Sequence, residues 1–278
     1  MPKIPEPLNG NLDEVFKRFS EYLQEIDRIL HLSSEGIAQT SKRVKVIEAL
    51  GEWERAAGKF NSEKHEIAMR DAKEKAAFAT QEMSKGFPVL HMHAIVALWT
   101  GTETLTRDLF KVWIKFNPAL LGRPPLNKIK ISAFHFQNLS EDERMDLIVH
   151  EMDQYVGPEH RQPIDKYEAI LKLFGFKSSL AKSIRRDLLE LYHVRNVFVH
   201  RRGVVDYRFV DLCPWVKKRP GEVLQMTHKS YVRYMHACNY YFVHILNLIL
   251  KHHGRHQIPY PKGIVEGTGS KPAEMVRA

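Results

Sequence analysis

Leu12, Phe16, Phe19, Leu23, Ile26 and Leu30 recur every three or four residues, the spacing that turns one side of an α-helix toward an apolar core. Residues 42–85 continue as charged, alanine-containing helix, which Gly58–Asn61 interrupts. Pro88 opens a third segment, 89–116, that ends before Pro118. A loop with Gly122, Pro124 and Pro125 follows, then a short extended piece, Lys128 to Phe134. Ser140 with Glu143 three residues later reads as a capping box and starts a helix over 140–155. Pro163 starts another helix that stops near Gly175. A long helix is predicted from Ser178 to Arg202, with Gly203 as its C-terminal cap.

Residues 204–226 break the helical pattern. The strand-like runs from Val204 to Val210 and from Glu222 to Thr227 flank a polar turn at Lys217–Gly221, which predicts a β-hairpin or an irregular arm. The last helix spans 227–253, and the Pro/Gly-rich end beyond it reads as a disordered tail. The expected architecture is an all-α bundle with a small β-hairpin insertion and an extra N-terminal helical region. Its parts are an N-terminal region 1–85, a helical domain 86–256 and a tail 257–278.

Composition sharpens this picture in three ways. Two cysteines, Cys213 and Cys238, are too few for a disulfide scaffold and suit a reducing compartment. The N-terminus has no basic-then-apolar leader, and the longest apolar runs are too short and interrupted to span a bilayer, so a soluble cytoplasmic chain without membrane contact is expected. The net charge of +9 is concentrated: from Arg195 onward stand fourteen Lys/Arg against five Asp/Glu, and the preceding residues balance. A one-sided excess points to a polyanionic partner; the plainer alternative is a solvated basic face.

One position in the long helix conflicts with its surroundings. At about 100° per residue, Leu180, Ile184, Leu188, Leu191, Tyr192, Phe198 and Val199 form one apolar stripe, and Arg195 falls in its middle. Asn196 and His200 lie one turn apart at the stripe's edge. A guanidinium cannot escape burial by losing its charge. Arg195 must therefore meet a carboxylate or face a groove. Glu103 lies among Val96, Trp99, Phe110 and Ile114 on the 89–116 helix and is the natural partner for such a pair.

An arginine followed at once by asparagine, with a histidine shortly after, late in a helix of an all-α domain, resembles the signature of the HEPN superfamily. Here it is carried by Arg195, Asn196 and His200, with Gly203 and Asp206 continuing it as in several subfamilies. The resemblance covers residues 88–253, while 1–85 resemble no family we can name. It implies a metal-independent endoribonuclease that cleaves single-stranded RNA through 2′-hydroxyl attack, with no cofactor. It also implies a composite site made by a homodimer, and often a toxin–antitoxin or anti-phage setting with an antitoxin or regulatory protein as partner.

The residue chemistry fits that expectation. A histidine near neutrality can move the proton, and an arginine can hold the non-bridging phosphate oxygens. Asn196 can orient the imidazole or the phosphate. Glu103 and Asp206 form a second tier. Arg201, Arg202, Lys217, Lys218 and Arg219 are candidates to lie along the RNA backbone, with Tyr207 or Trp215 stacking a base; the plainer and favoured alternative for each is a solvated surface charge or a core aromatic. His252 and His256 have the spacing of a helical zinc pair, but Gly254 interrupts them and no acidic or thiol ligand stands nearby, so no metal is expected. The rival reading is a HEPN-fold dimer that binds RNA or a nucleotide without cleaving it.

Overall fold

The computed structural model describes residues 6–132, 136–157, 160 and 162–262. Its helices are α1 (Glu6–Thr40), α2 (Arg43–Ala56), α3 (Ser62–Ser84), α4 (Pro88–Phe116), α5 (Glu141–Val156), α6 (Pro163–Leu173), α7 (Lys182–Arg201), α8 (Tyr207–Leu212) and α9 (His228–His252). Short 3-10 turns at Pro118–Gly122, Leu126–Lys128 and Pro214–Val216 fill the connections. No strand occurs among the described residues, so the chain is all-α as the periodicity predicts.

The apolar stripe of α1 is buried: Leu8, Leu12, Val15, Phe19, Leu23 and Ile26 join one continuous core with α4, α7 and α9. Phe16 and Phe19 close on Phe242 of α9, with ring centroids 4.3 and 5.4 Å apart. Tyr22 lies flat against α4, donating its hydroxyl to the Ala97 carbonyl at 3.1 Å. Gly101 makes that approach possible, since a Cβ there would stand 2.4 Å from the Tyr22 ring. Beyond Leu30, which still packs against the core, the long helix leaves it. It leads to the α2–α3 hairpin, where Val46, Leu50, Trp53, Ile67 and Phe78 are exposed.

Local signals set most boundaries. Ser140 and Glu143 form the predicted capping box of α5, with the Ser140 side chain and backbone N–H both engaged. Asn61 caps α3 and Thr227 caps α9 through their side chains. The long helix is shorter than its apolar pattern suggests, starting at Lys182, because residues 176–181 run as irregular chain into it. At its other end Arg202 and Gly203 both take positive φ, 52° and 86°, and the Gly203 N–H reaches back to the Val197 carbonyl.

The arm between α7 and α9 is not a β-hairpin. Its ends pair through one antiparallel bridge, Val204 with Val223, and the expected first strand is instead helix α8. Asp206 explains the switch: its carboxylate accepts the Phe209 N–H at 2.8 Å and nucleates a helical turn where alternation predicts extended chain. The end read as a disordered tail also differs. Residues 257–262 lie along α9, where Asn247 accepts the Ile258 N–H and donates to the Ile258 carbonyl. The remainder, 263–278, lies outside the described residues, as does part of the predicted extended piece, 133–135.

Candidate functional site

Helix α7 is buried over far more of its circumference than the apolar stripe accounts for. Ile184, Leu188 and Leu191 are buried as expected, but so are Asp187, Glu190 and His193 on the opposite flank. Tyr192 and Phe198 are half-buried and Val199 is exposed. The core therefore sits rotated away from Val199, and Arg195 lies at its margin rather than its centre.

Arg195 is half-buried, and its Nη1 donates to Asn196 Oδ1 at 3.0 Å. Its Nε is buried without a partner, and no carboxylate reaches ion-pair distance of it among the described residues. The in-chain Glu103 pairing is not made: α4 packs beside α7, but Glu103 points to Arg107, 4.0 Å away on its own helix. Asn196 thus holds the guanidinium, not the imidazole. His200 is exposed near the helix end and has no hydrogen-bond partner among the described residues. On an ideal helix Arg195 and His200 are roughly 140° and about 7.5 Å apart along the axis, so one chain does not bring them onto a common substrate atom.

The surrounding charges divide into tethered and free. Arg201 is tied to Asp206 at 2.9 Å, and the same Asp206 caps α8, so its observed role is to fold the chain back after the helix. Lys218 pairs with Glu222 at 3.4 Å. Arg202, Lys217 and Arg219 are exposed and make no ion pair among the described residues. Tyr207, at the first turn of α8, is 78% exposed. Trp215 is engaged elsewhere: its indole N–H donates to Glu190 at 2.6 Å.

That bond belongs to a cluster the sequence reading missed. Glu190 also accepts from Arg233 at 2.5 Å and from Tyr234 at 2.6 Å, while Arg233 donates to Asp187 at 2.5 Å. Burial raises the Glu190 carboxyl, but the bonds from Arg233, Tyr234 and Trp215 outweigh it and hold the group below the usual carboxylate range. The cluster fastens the first half of α7 to α9 and the arm. A signal existed: Asp187 and Glu190 continue the row of Val194 and Val197 at helical spacing. His193 is likewise buried; its Nε2–H donates to Gln162 at 2.9 Å, and burial, with Arg208 adding to it, pushes its pKa down to about 4.

Both cysteines are buried, which pushes their thiols up to about 12 and leaves them protonated at neutral pH. His252 and His253 pack edge-on against Trp113. No helix among the described residues is long and apolar enough to cross a membrane. No family model, curated protein or solved structure matches the chain.

Proposed function

We propose that the chain is a HEPN-type endoribonuclease that cleaves single-stranded RNA without a metal, from a site shared by two copies. The observation that carries this reading is Arg195: a permanent charge at the margin of the core, oriented by Asn196, with no carboxylate at ion-pair distance among the described residues. An unneutralised guanidinium held in a fixed direction suits a phosphate. Exposed His200 and Arg202, Lys217 and Arg219, which make no ion pair among the described residues, lie in the same basic third of the chain. Because Arg195 and His200 diverge within one chain, a two-fold pair of α7 ends is the arrangement that sets both on one scissile phosphate.

In that site His200 takes the proton of the RNA 2′-hydroxyl. The 2′-oxygen attacks the adjacent phosphorus, Arg195 stabilises the charge on the non-bridging oxygens, and the bond to the 5′-oxygen breaks. That oxygen leaves with a proton from an acid, the partner copy's histidine being the nearest source. The products are a 2′,3′-cyclic phosphate and a 5′-hydroxyl. A toxin or anti-phage role, with an antitoxin or regulator as partner, is the biological setting this chemistry suits. A second reading has one observation in its favour. Among the described residues none hydrogen-bonds His200 to orient it, which fits an RNA-binding dimer that does not cleave.

Cleavage of labelled single-stranded RNA in EDTA separates the two. The wild type is expected to cut and leave cyclic phosphate ends. His200→Ala is expected to lose about 10²–10⁴ in rate while keeping its fold. Arg195→Lys should restore less than the native activity, since lysine lacks the planar fork. RNA binding without cleavage would establish the second reading. Full activity in His200→Ala would remove the motif from the chemistry.

A further inference from the structure

We infer that Glu168, Ser178, His244 and Tyr260 form a proton-responsive latch that holds the C-terminal strap, residues 255–262, on the bundle. These side chains come from α6, the 174–181 connection, α9 and the strap, and they make an unbroken chain. Ser178 Oγ lies 2.5 Å from Glu168 Oε2 and 2.8 Å from His244 Nε2, and His244 Nδ1 lies 3.2 Å from the Tyr260 hydroxyl. Glu168 and His244 are buried, whereas Tyr260 is 37% exposed. Beside the chain, Tyr260 stacks on Tyr240 at 4.4 Å and Asn247 clasps Ile258 through both backbone groups.

Ser178 and His244 have the spacing of a nucleophile and its base, but the chain is wired otherwise. The carboxyl sits on the serine, not on Nδ1 of the histidine, so it competes with the imidazole for the hydroxyl proton. The arrangement transmits protons instead.

Donor directions follow from chemistry alone. An ionised Glu168 only accepts, so the Ser178 O–H points to it. Ser178 then accepts from His244 Nε2–H, and the neutral ring offers Nδ1 to the Tyr260 O–H. Every donor points inward. One added proton reverses all three bonds: Glu168 donates to Ser178, Ser178 to Nε2, and Nδ1–H to Tyr260. No contact is lost. A second added proton has no such solution, because a neutral Glu168 and a cationic His244 both donate to Ser178, whose own proton is left without an acceptor.

The surroundings do not relieve this. Around Glu168 stand Tyr167 and Lys172 on α6, Tyr241 on α9, and Arg185 on α7, which is committed to Asp165 at 2.5 Å. Glu168 Oε1 is buried with no partner. Burial raises the Glu168 carboxyl and lowers His244. His244, depressed in the fold, supports the strap above its unfolded pKa of about 6.5 and withdraws that support as pH falls. The change of charge on Glu168 costs the strap no contact, since the chain of bonds stays complete in both states. Strap docking therefore weakens in acid, where His244 takes up the second proton.

Amide hydrogen exchange at Ile258 in the full chain, corrected for intrinsic rates and followed from about pH 5 to 9, tests this. Wild-type protection should hold from neutrality upward and fall in acid. Tyr260→Phe keeps the stacking and removes the hydroxyl. It should lower protection about fivefold near neutrality, the worth of one hydrogen bond, and flatten the acid limb. Glu168→Gln, whose amide oxygen accepts from Ser178 at every pH, should keep protection near neutrality and weaken the acid limb. Nitrogen NMR of the unmodified protein supplies an arm that needs no variant: His244 should be the neutral Nε2–H tautomer at high pH. An Nδ1–H tautomer there, or a Tyr260→Phe profile that overlays the wild type, overturns the latch.

Discussion

Glu190 is the best place to test how the arm is held, because its bonds are countable. Glu190→Gln keeps the shape and removes the charge that Arg233, Tyr234 and Trp215 all address. Removing one partner of a buried pair costs about 3–5 kcal/mol. Arg233 is 34% exposed, so water screens part of the interaction, and the lower end, about 3 kcal/mol, applies. In a chain of this size that lowers Tm by about 6–12 °C. Arg233→Met should cost a similar amount, because it strands Glu190 in the core. The double variant should lose less than the sum, with coupling of at least about 1 kcal/mol, since position 190 no longer carries a charge for Arg233→Met to strand, although Asp187 still loses its Arg233 partner. The pH profile adds a sign. The Glu190 carboxyl lies below its ordinary value of 4.5, so its contribution is complete above that value and is lost as pH falls. Acid sensitivity should therefore weaken in Glu190→Gln. Calorimetry of the four proteins decides it. Additive losses, or a Glu190→Gln cost below about 1 kcal/mol, would refute the reasoning.

Gly101→Ala sets helix propensity, which favours alanine by about 1 kcal/mol, against a Cβ placed 2.4 Å from the Tyr22 ring. Overpacking should win by about 1–2 kcal/mol, and Tyr22→Leu in the same chain should reverse the sign in a urea melt. His193 should stay neutral until about pH 4, and its contribution to stability should fade as pH drops from 6.5 toward that value; an NMR titration midpoint near 6.5 would contradict its buried bond to Gln162.

The helical framework was legible because α1, α4 and α9 bury their apolar stripes with the expected period and because capping residues such as Ser140 act locally. The β-hairpin alternative for the arm failed for a reason of the same kind, and the irregular arm is what forms. Val204 to Val210 alternates like a strand, yet one capping carboxylate, Asp206, is enough to start a helix. The face of α7 was read too narrowly. Hydropathy assigns acidic residues to water, but Asp187 and Glu190 are inside because Arg233, sequence-distant on α9, meets them there. Partners separated by that much chain leave no periodic trace. Arg195 was rightly singled out as anomalous, but its in-chain companion proved to be the neighbouring Asn196 rather than Glu103. Of the proposed RNA contacts, Trp215 is spoken for by Glu190, and Tyr207 stands open to solvent.

The exposed α2–α3 hairpin gives the molecule an optical handle. Trp53 is 62% exposed there, whereas Trp99 and Trp113 are buried and Trp215 is half-buried with its indole tied down. Its emission lies to the red of theirs and is the fraction that dissolved iodide extinguishes. Anything that settles on the hairpin shields that fraction and shifts it blue, so fluorescence from the unlabelled chain distinguishes a covered hairpin from a bare one at concentrations far below those of scattering methods.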